Sequence, residues 1–207
     1  MAFIPGSEDN DPLDGTEGAD TILGFGGSDT INGLGGNDLI NPGSAPSNGQ
    51  DRIFGSTGND QIVFSDVQAG GGYLQLSYVD LSRITATING PGNTGSIVKG
   101  TSGINGTDTL TDIATALASV NFELWGTAGR DTFTVSGGVN SFVVLAGSEG
   151  NDTFNLTLTG EIALIYDGSW FDFATAGVVL NLTTGVVAND GFGFTDTLNI
   201  SNTPTDD

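Results

Sequence analysis

Neither cysteine nor histidine occurs anywhere in these 207 residues. The first absence excludes a disulfide scaffold and any thiolate site. The second removes the usual general base, every Ser-His triad and most zinc chemistry. Positive charge is nearly as scarce, with four Lys and Arg against 25 Asp and Glu and a formal net charge of −21. A compact body so charged repels itself, so a bound cation is expected in the folded state. Nucleic acid and anionic membrane surfaces are poor partners for it. No run of residues approaches a transmembrane span, and the opening MAFIPGSEDNDPLDG lacks the basic flank and apolar stretch of a cleaved signal peptide. Such a start fits a cytosolic protein, a piece of a longer chain, or a protein exported by a signal elsewhere.

What is abundant is Gly, at 34 residues, together with Asp, which supplies nearly all the acid. Both residues favour turns, whereas Glu-rich acidity goes with helix or disorder. They are also ordered. Residues 15 to 41 read GTEGADTIL, GFGGSDTIN and GLGGNDLIN without a gap; Pro42 to Ala45 intervene, and PSNGQDRIF and GSTGNDQIV follow to Val63. In all five nonapeptides position four is Gly (Gly18, Gly27, Gly36, Gly49, Gly58), position six is Asp (Asp20, Asp29, Asp38, Asp51, Asp60) and position eight is Ile (Ile22, Ile31, Ile40, Ile53, Ile62). Gly at one and four with Asp at six suits a turn, and the x-Ile-x triplet is long enough only for a very short strand. Turn, strand, turn, strand would wind two nonapeptides into one coil, with coils stacked about 4.8 Å apart and the isoleucines inward.

Around this block, residues 1 to 14 form an acidic lead-in, a loosely held tail or a partial extra turn. From 64 to 125 the beat stops. Tyr73 to Val79 and Ile84 to Ile88 alternate as ordinary strands, GINGTDTLT carries a single copy of the template with Gly106 and Asp108, and Asp112 to Val120 is the one plausible short helix. The beat resumes over 126 to 155 in GTAGRDTFT and GSEGNDTFN, with Gly129, Asp131, Gly150 and Asp152 in place and Phe133 and Phe154 at the core position. Between them VSGGVNSFV keeps Phe142 but puts Asn140 where Asp belongs. Residues 156 to 207 form a second strand-rich segment related to 73 to 113. At one constant offset, Leu76 and Tyr78 recur as Leu164 and Tyr166, Gly103 as Gly191, and Asp108 as Asp196. The halves read as two copies of one larger unit, and the ending SNTPTDD, where another nonapeptide block is expected, reads as a cut through a longer chain.

Carboxylates on stacked turns oppose folding when bare, because like charges in a partly dry site raise one another's pKa. A hard divalent cation between coils reverses the sign. Calcium fits best, since it takes six to eight oxygens, accepts carbonyls as readily as carboxylates and tolerates irregular geometry. Magnesium demands a stricter octahedron, and no soft ligand is present for a transition metal. For Asp108 and Asp196 a plain Asx turn is an equal alternative.

GFGGSDTIN and GLGGNDLIN are near-consensus copies of G-G-x-G-x-D-x-U-x, and the chain thereby resembles the RTX, or haemolysin-type, calcium-binding repeat family. The resemblance implies an all-β fold of calcium-stabilised right-handed parallel β-roll blocks alternating with strand-rich segments. It implies calcium ligands at Asp20, Asp29, Asp38, Asp51, Asp60, Asp131 and Asp152, with carbonyls around Gly18, Gly27, Gly36, Gly49, Gly58, Gly129 and Gly150, and extends less directly to Asp108, Asp196 and Asn140. The motif's second Gly is replaced in each of the first five copies (Thr16, Phe25, Leu34, Ser47, Ser56), and Pro46 takes position one of the fourth. Family members are secreted unfolded by type I export and fold on extracellular calcium. Three functions are compatible: a non-catalytic calcium-binding spacer or adhesive module of a secreted or cell-surface protein, contacting itself or surface polysaccharide; a self-assembling surface-layer or filament subunit; and a carbohydrate-active β-helix enzyme. The last would have only Arg52, Arg83, Lys99 and Arg130 to work with, and the non-enzymatic module is the reading carried forward.

Overall fold

A computed structural model describes residues 1–68, 72–103, 105–165, 179–181, 186–189 and 193–201. Because only the residues around Ile in each repeat are extended, the strands are short: β1 Phe3–Ser7, β2 Pro12–Thr16, β3 Thr21–Phe25, β4 Thr30–Leu34, β5 Leu39–Asn41, β6 Gln50–Phe54, β7 Gln61–Val63 and β8 Tyr73–Ser77. β1 to β6 each pair in parallel with the strand two further on, never with the neighbour in sequence. Two ladders result, one of odd strands (β1, β3, β5, β7) and one of even strands (β2, β4, β6, β8). Ile22 aligns with Ile40 and Ile40 with Ile62 in the first, Ile31 with Ile53 in the second. All five isoleucines are buried, in one hydrophobic cluster that both ladders share. The lead-in contributes β1 and β2 to the same ladders, so of its two readings the extra turn is the one observed.

The insertion Pro42 to Ala45 does not break the register. Thr30 pairs with Arg52 and Leu39 with Gln61 across it, and the additional residues are held outside the strands by a Gly26 to Ser44 bridge.

Beyond β8 the chain runs as β9 Ile84–Asn89, β10 Thr94–Lys99, β11 Thr107–Thr111, α1 Ile113–Ser119, β12 Asn121–Trp125, β13 Thr132–Ala146 and β14 Thr153–Ile165. β11 continues the odd ladder on β7, with β10 and β9 added antiparallel behind it; β12 continues the even ladder on β8. The expected helix is present as α1, burying Ile113, Ala116 and Leu117. β13 then lies on both ladders at once: Thr132 to Ser136 pair with β9, and Val143 to Ala146 with the facing residues of β12. The nonapeptide expected at 135 to 143 is therefore no turn. It is the middle of one strand with a register shift between Gly138 and Phe142, because without an aspartate at position six nothing closes the turn and the Val-rich flanks stay extended. Asn140 lies in this strand, and its side chain falls outside the described residues. Phe133 and Phe154 are buried and stack with centroids 5.0 Å apart; Phe142 is half-buried.

The described strands β15 Val179–Asn181, β16 Val186–Asn189 and β17 Asp196–Ile200 repeat the earlier addition: β17 pairs in parallel with β14, β16 antiparallel with β17, and β15 antiparallel with β16. The duplication read from Asp108 and Asp196 is thus present in the pairing. Tyr166 and Gly191 lie outside the described residues. Among the described residues no helix is long and apolar enough to cross a membrane.

Each coil contributes only one or two core side chains, so each isoleucine carries a large share of the packing. Ile40→Ala is expected to cost about 2–5 kcal/mol, while Leu39→Ala, at a side chain 37% exposed, stays within about 0.5 kcal/mol. Denaturant unfolding of both variants in saturating calcium measures the difference.

Candidate metal centre

The position-six aspartates sit at the turn just before a strand or, for Asp51, Asp108 and Asp196, within its first two residues, and Asp20, Asp29, Asp38, Asp51, Asp60, Asp108, Asp131, Asp152 and Asp196 are all buried. They form columns. On the edge that leads into the odd ladder, the N–H of Asp20 donates to Oδ1 of Asp38, that of Asp38 to Asp60, and that of Asp60 to Asp108. On the opposite edge the Asp11 N–H donates to Oδ1 of Asp29, and that of Asp29 to Asp51. A third run carries Ile84 N–H to Asp131, Asp131 to Asp152 and Asp152 to Asp196. One oxygen of each carboxylate therefore ties its turn to the next, at 2.7 to 3.1 Å.

The other oxygen separates the turns into classes. In Asp20, Oδ2 accepts from both the N–H and the hydroxyl of Thr16, at 2.7 Å each. In Asp11 it accepts likewise from Ser7, and Asp131 takes both donors of Thr127. These turns have a hydroxyl residue at position two and are closed on themselves. In Asp29 and Asp38, Oδ2 is buried and receives no hydrogen bond. Their position-two residues are Phe25 and Leu34, in left-handed backbone with φ of 70° and 65°, a strained conformation for a bulky side chain. A lone anionic oxygen out of water is costly unless something positive meets it.

The glycine at position one makes room for that oxygen. A Cβ at Gly24 would collide with both Asp29 Oδ2 and the Pro42 carbonyl oxygen, and one at Gly33 with Asp38 Oδ2. The position-four glycines stack differently: at Gly58, φ is 119° and a Cβ would strike the carbonyl of Gly36. Gly18 abuts Gly36, Gly58 abuts Gly106 and Gly129 abuts Gly150 in the same manner. The Gly49 carbonyl accepts from Tyr73 N–H, and Gly27 lies against the backbone of Asp9. Beside the aspartates runs a column absent from the sequence reading. Asn10, Asn37, Asn59 and Asn151 at position five each accept a backbone N–H from the next turn, of Ser28, Asn59, Thr107 and Thr195. The recurrence of Asn at position five was its signal.

Burial dominates the electrostatics. It pushes Asp29 and Asp38 up to about 6 and Asp51 to about 7, against hydrogen bonds from the neighbouring turn that pull the other way. Burial likewise raises Asp131. Asp20, by contrast, is held below the usual range by the N–H of Ala2 and the Thr16 hydroxyl.

A hard cation suits this donor set. Asp29 and Asp38 each offer an oxygen with no other partner, beside glycines whose missing Cβ leaves space, and a carbonyl stands at the first of these points. Among the described residues no three acidic side chains converge, so the balance of any coordination shell falls to backbone carbonyls, which calcium accepts.

The fold and these turns define an all-β chain with parallel ladders and an aspartate at each repeat turn. Residues 5–40 and 47–63 match the RTX calcium-binding nonapeptide repeat, in four copies. The interval between the matched spans brackets the Pro42 to Ala45 insertion, and the match takes in most of the lead-in, whose Gly6, Asp11 and Leu13 occupy positions one, six and eight. Among curated proteins none matches the chain.

The raised aspartates fix a pH dependence. A carboxyl whose folded pKa exceeds its unfolded value of 3.8 favours the folded state when protonated, so that contribution is present below about 4 and is lost as pH rises through 6 to 7. The metal-free chain should show a Tm that falls between pH 4 and pH 7.5, while the Tm gain from added calcium grows over the same window, because the ligands must ionise to bind. A metal-free Tm that climbs with pH contradicts the assignment.

Proposed function

We propose that this chain is a non-catalytic calcium-binding module of a larger secreted or cell-surface bacterial protein, a right-handed parallel β-roll that folds on meeting extracellular calcium and serves as a stiff spacer or adhesive segment. The observation that carries the reading is the pair of buried, unpartnered carboxylate oxygens on Asp29 and Asp38, one on each edge of the RTX-matched block. Calcium there supplies the positive charge that the chain itself lacks and bridges successive turns. The residues that hold it are the two aspartates with carbonyls of the adjoining turns. Binding to the native state alone stabilises that state, so a chain of net charge −21 is loose where calcium is scarce and firm where it is plentiful.

Asp20 and Asp131, satisfied by Thr16 and Thr127, contribute chiefly to the turns, and the calcium requirement concentrates on the turns whose second residue is not hydroxylated.

Calcium titration followed by circular dichroism should raise the chain's β-structure at the expense of coil and raise its Tm. Asp29→Asn and Asp38→Asn should each raise the calcium midpoint about tenfold or more, since a ligand charge is removed, whereas Thr16→Val leaves the midpoint near native while lowering thermal stability. A spectrum indifferent to both calcium and chelator overturns the calcium-folding reading.

A further inference from the structure

Lys99 stands apart from every other basic residue in the chain. It ends β10, its side chain is 0% exposed, and its ammonium lies 3.0 Å from Asp60 Oδ2 while also pairing with Asp108 Oδ1. In a chain with four cationic side chains and 25 acidic ones, one cation is thus spent wholly inside, on two aspartates of the same column. Asp60 and Asp108 are successive position-six residues, joined by the Asp60 N–H to Asp108 Oδ1 bond. The second oxygen of Asp108 accepts from the Tyr78 hydroxyl at 2.8 Å.

The column therefore changes character along its length. At Asp20 the second oxygen is closed by Thr16, at Asp38 it has no partner, at Asp60 it meets an ammonium, and at Asp108 it meets a phenol. Glycine at position one changes in step. At Gly24 and Gly33 the space of the missing Cβ faces a carboxylate oxygen, whereas at Gly55, which opens the repeat containing Asp60, it faces the Tyr78 ring. Lys99 and Tyr78 come from outside the nonapeptide block and occupy the step where a cation between turns is otherwise required.

We propose that Lys99 is a built-in replacement for calcium, its ammonium closing the step between the Asp60 and Asp108 turns so that this junction holds without metal while the turns before it depend on metal. This rests on the calcium-binding reading above. A lysine tethered on an antiparallel strand delivers its charge at an effective concentration that free ion cannot match, and it cannot be removed by chelator. The junction at which the repeat block meets the strand-rich segment is thereby insulated from calcium depletion, and Asp60 and Asp108 serve as ion-pair partners of Lys99. Removing one member of such a buried cluster leaves the others uncompensated, so the loss of Lys99 should recreate the demand for a divalent ion.

Calcium ions bound per chain, counted by calorimetry with equilibrium dialysis, and thermal unfolding in chelator test this on the whole chain. Asp38→Asn should bind fewer ions than the native chain, and Asp60→Asn the same number. Lys99→Met should bind one ion more and lose stability in chelator that calcium restores. The proposal is overturned if Asp60→Asn loses an ion as Asp38→Asn does, or if Lys99→Met is as stable in chelator as the native chain. Where Lys99→Met does not fold, Asp60→Asn decides alone. A native chain that binds no calcium overturns the calcium reading and this one together; a native chain that binds calcium, with Asp60→Asn losing an ion, overturns this one alone.

Discussion

A carboxylate oxygen accepting a backbone N–H from the preceding turn is the contact on which everything else here depends. The parallel ladders supply hydrogen bonds only along the strands, and strands of three to five residues leave nearly as much chain in turns as in sheet. Turn N–H groups buried without acceptors would each cost free energy comparable to the bonds the strands gain. Asp at position six provides an acceptor to the turn before it, and Asn at position five provides one to the turn after it. The repeat length follows from this. A turn must return the aspartate to the same place on the edge, or the column breaks, as it does where β13 runs straight through position 140.

The price of that arrangement is charge. An Asn accepts a backbone N–H without it, as those at position five do from the following turn. Position six keeps the carboxylate, and its second oxygen must be dealt with in a dry place. Four solutions coexist in one chain: a hydroxyl and N–H from position two (Ser7, Thr16) or its N–H alone (Thr127), an ammonium from a remote strand (Lys99), a phenol (Tyr78), and no partner at all (Asp29, Asp38). Only the last creates a need for an outside cation. The number of carboxylate oxygens left without a partner is therefore set turn by turn, through the residue at position two and through what the rest of the fold brings to the edge, and not by the number of aspartates.

Much of this was legible in the sequence. Ile at position eight named the core, Asp at six named the edge, and the recurrence of Asp108 as Asp196 announced the repeated β9 to β11 addition. These were readable because each is local and periodic. What stayed hidden was non-local. Nothing at Lys99 marks it as a partner of Asp60, since the two are brought together only when β10 folds back antiparallel on β11 and β11 docks on β7. Position two was visible as a departure from the template in each of the first five copies, yet its meaning lies in backbone geometry: Thr16 bonds the carboxylate, whereas Phe25 and Leu34 take left-handed φ and leave it open. The lead-in stayed open between two readings because Asp9 replaces Gly at its fourth position, although Gly6, Asp11 and Leu13 hold the rest of the pattern.

The strained conformations of Phe25 and Leu34 bear on why open turns persist at all. A left-handed bulky residue costs on the order of 1–3 kcal/mol, and a Thr in its place would both relieve the backbone and satisfy the carboxylate, as Thr16 shows one repeat earlier. Stability in the absence of metal would favour that exchange. The open turns forgo it, and in doing so leave two carboxylates raised to about 6 by burial, a desolvation cost that positive charge beside them relieves. A chain under pressure for stability alone would close these turns; here Asp29 and Asp38 stay open while Lys99 closes the step at Asp60.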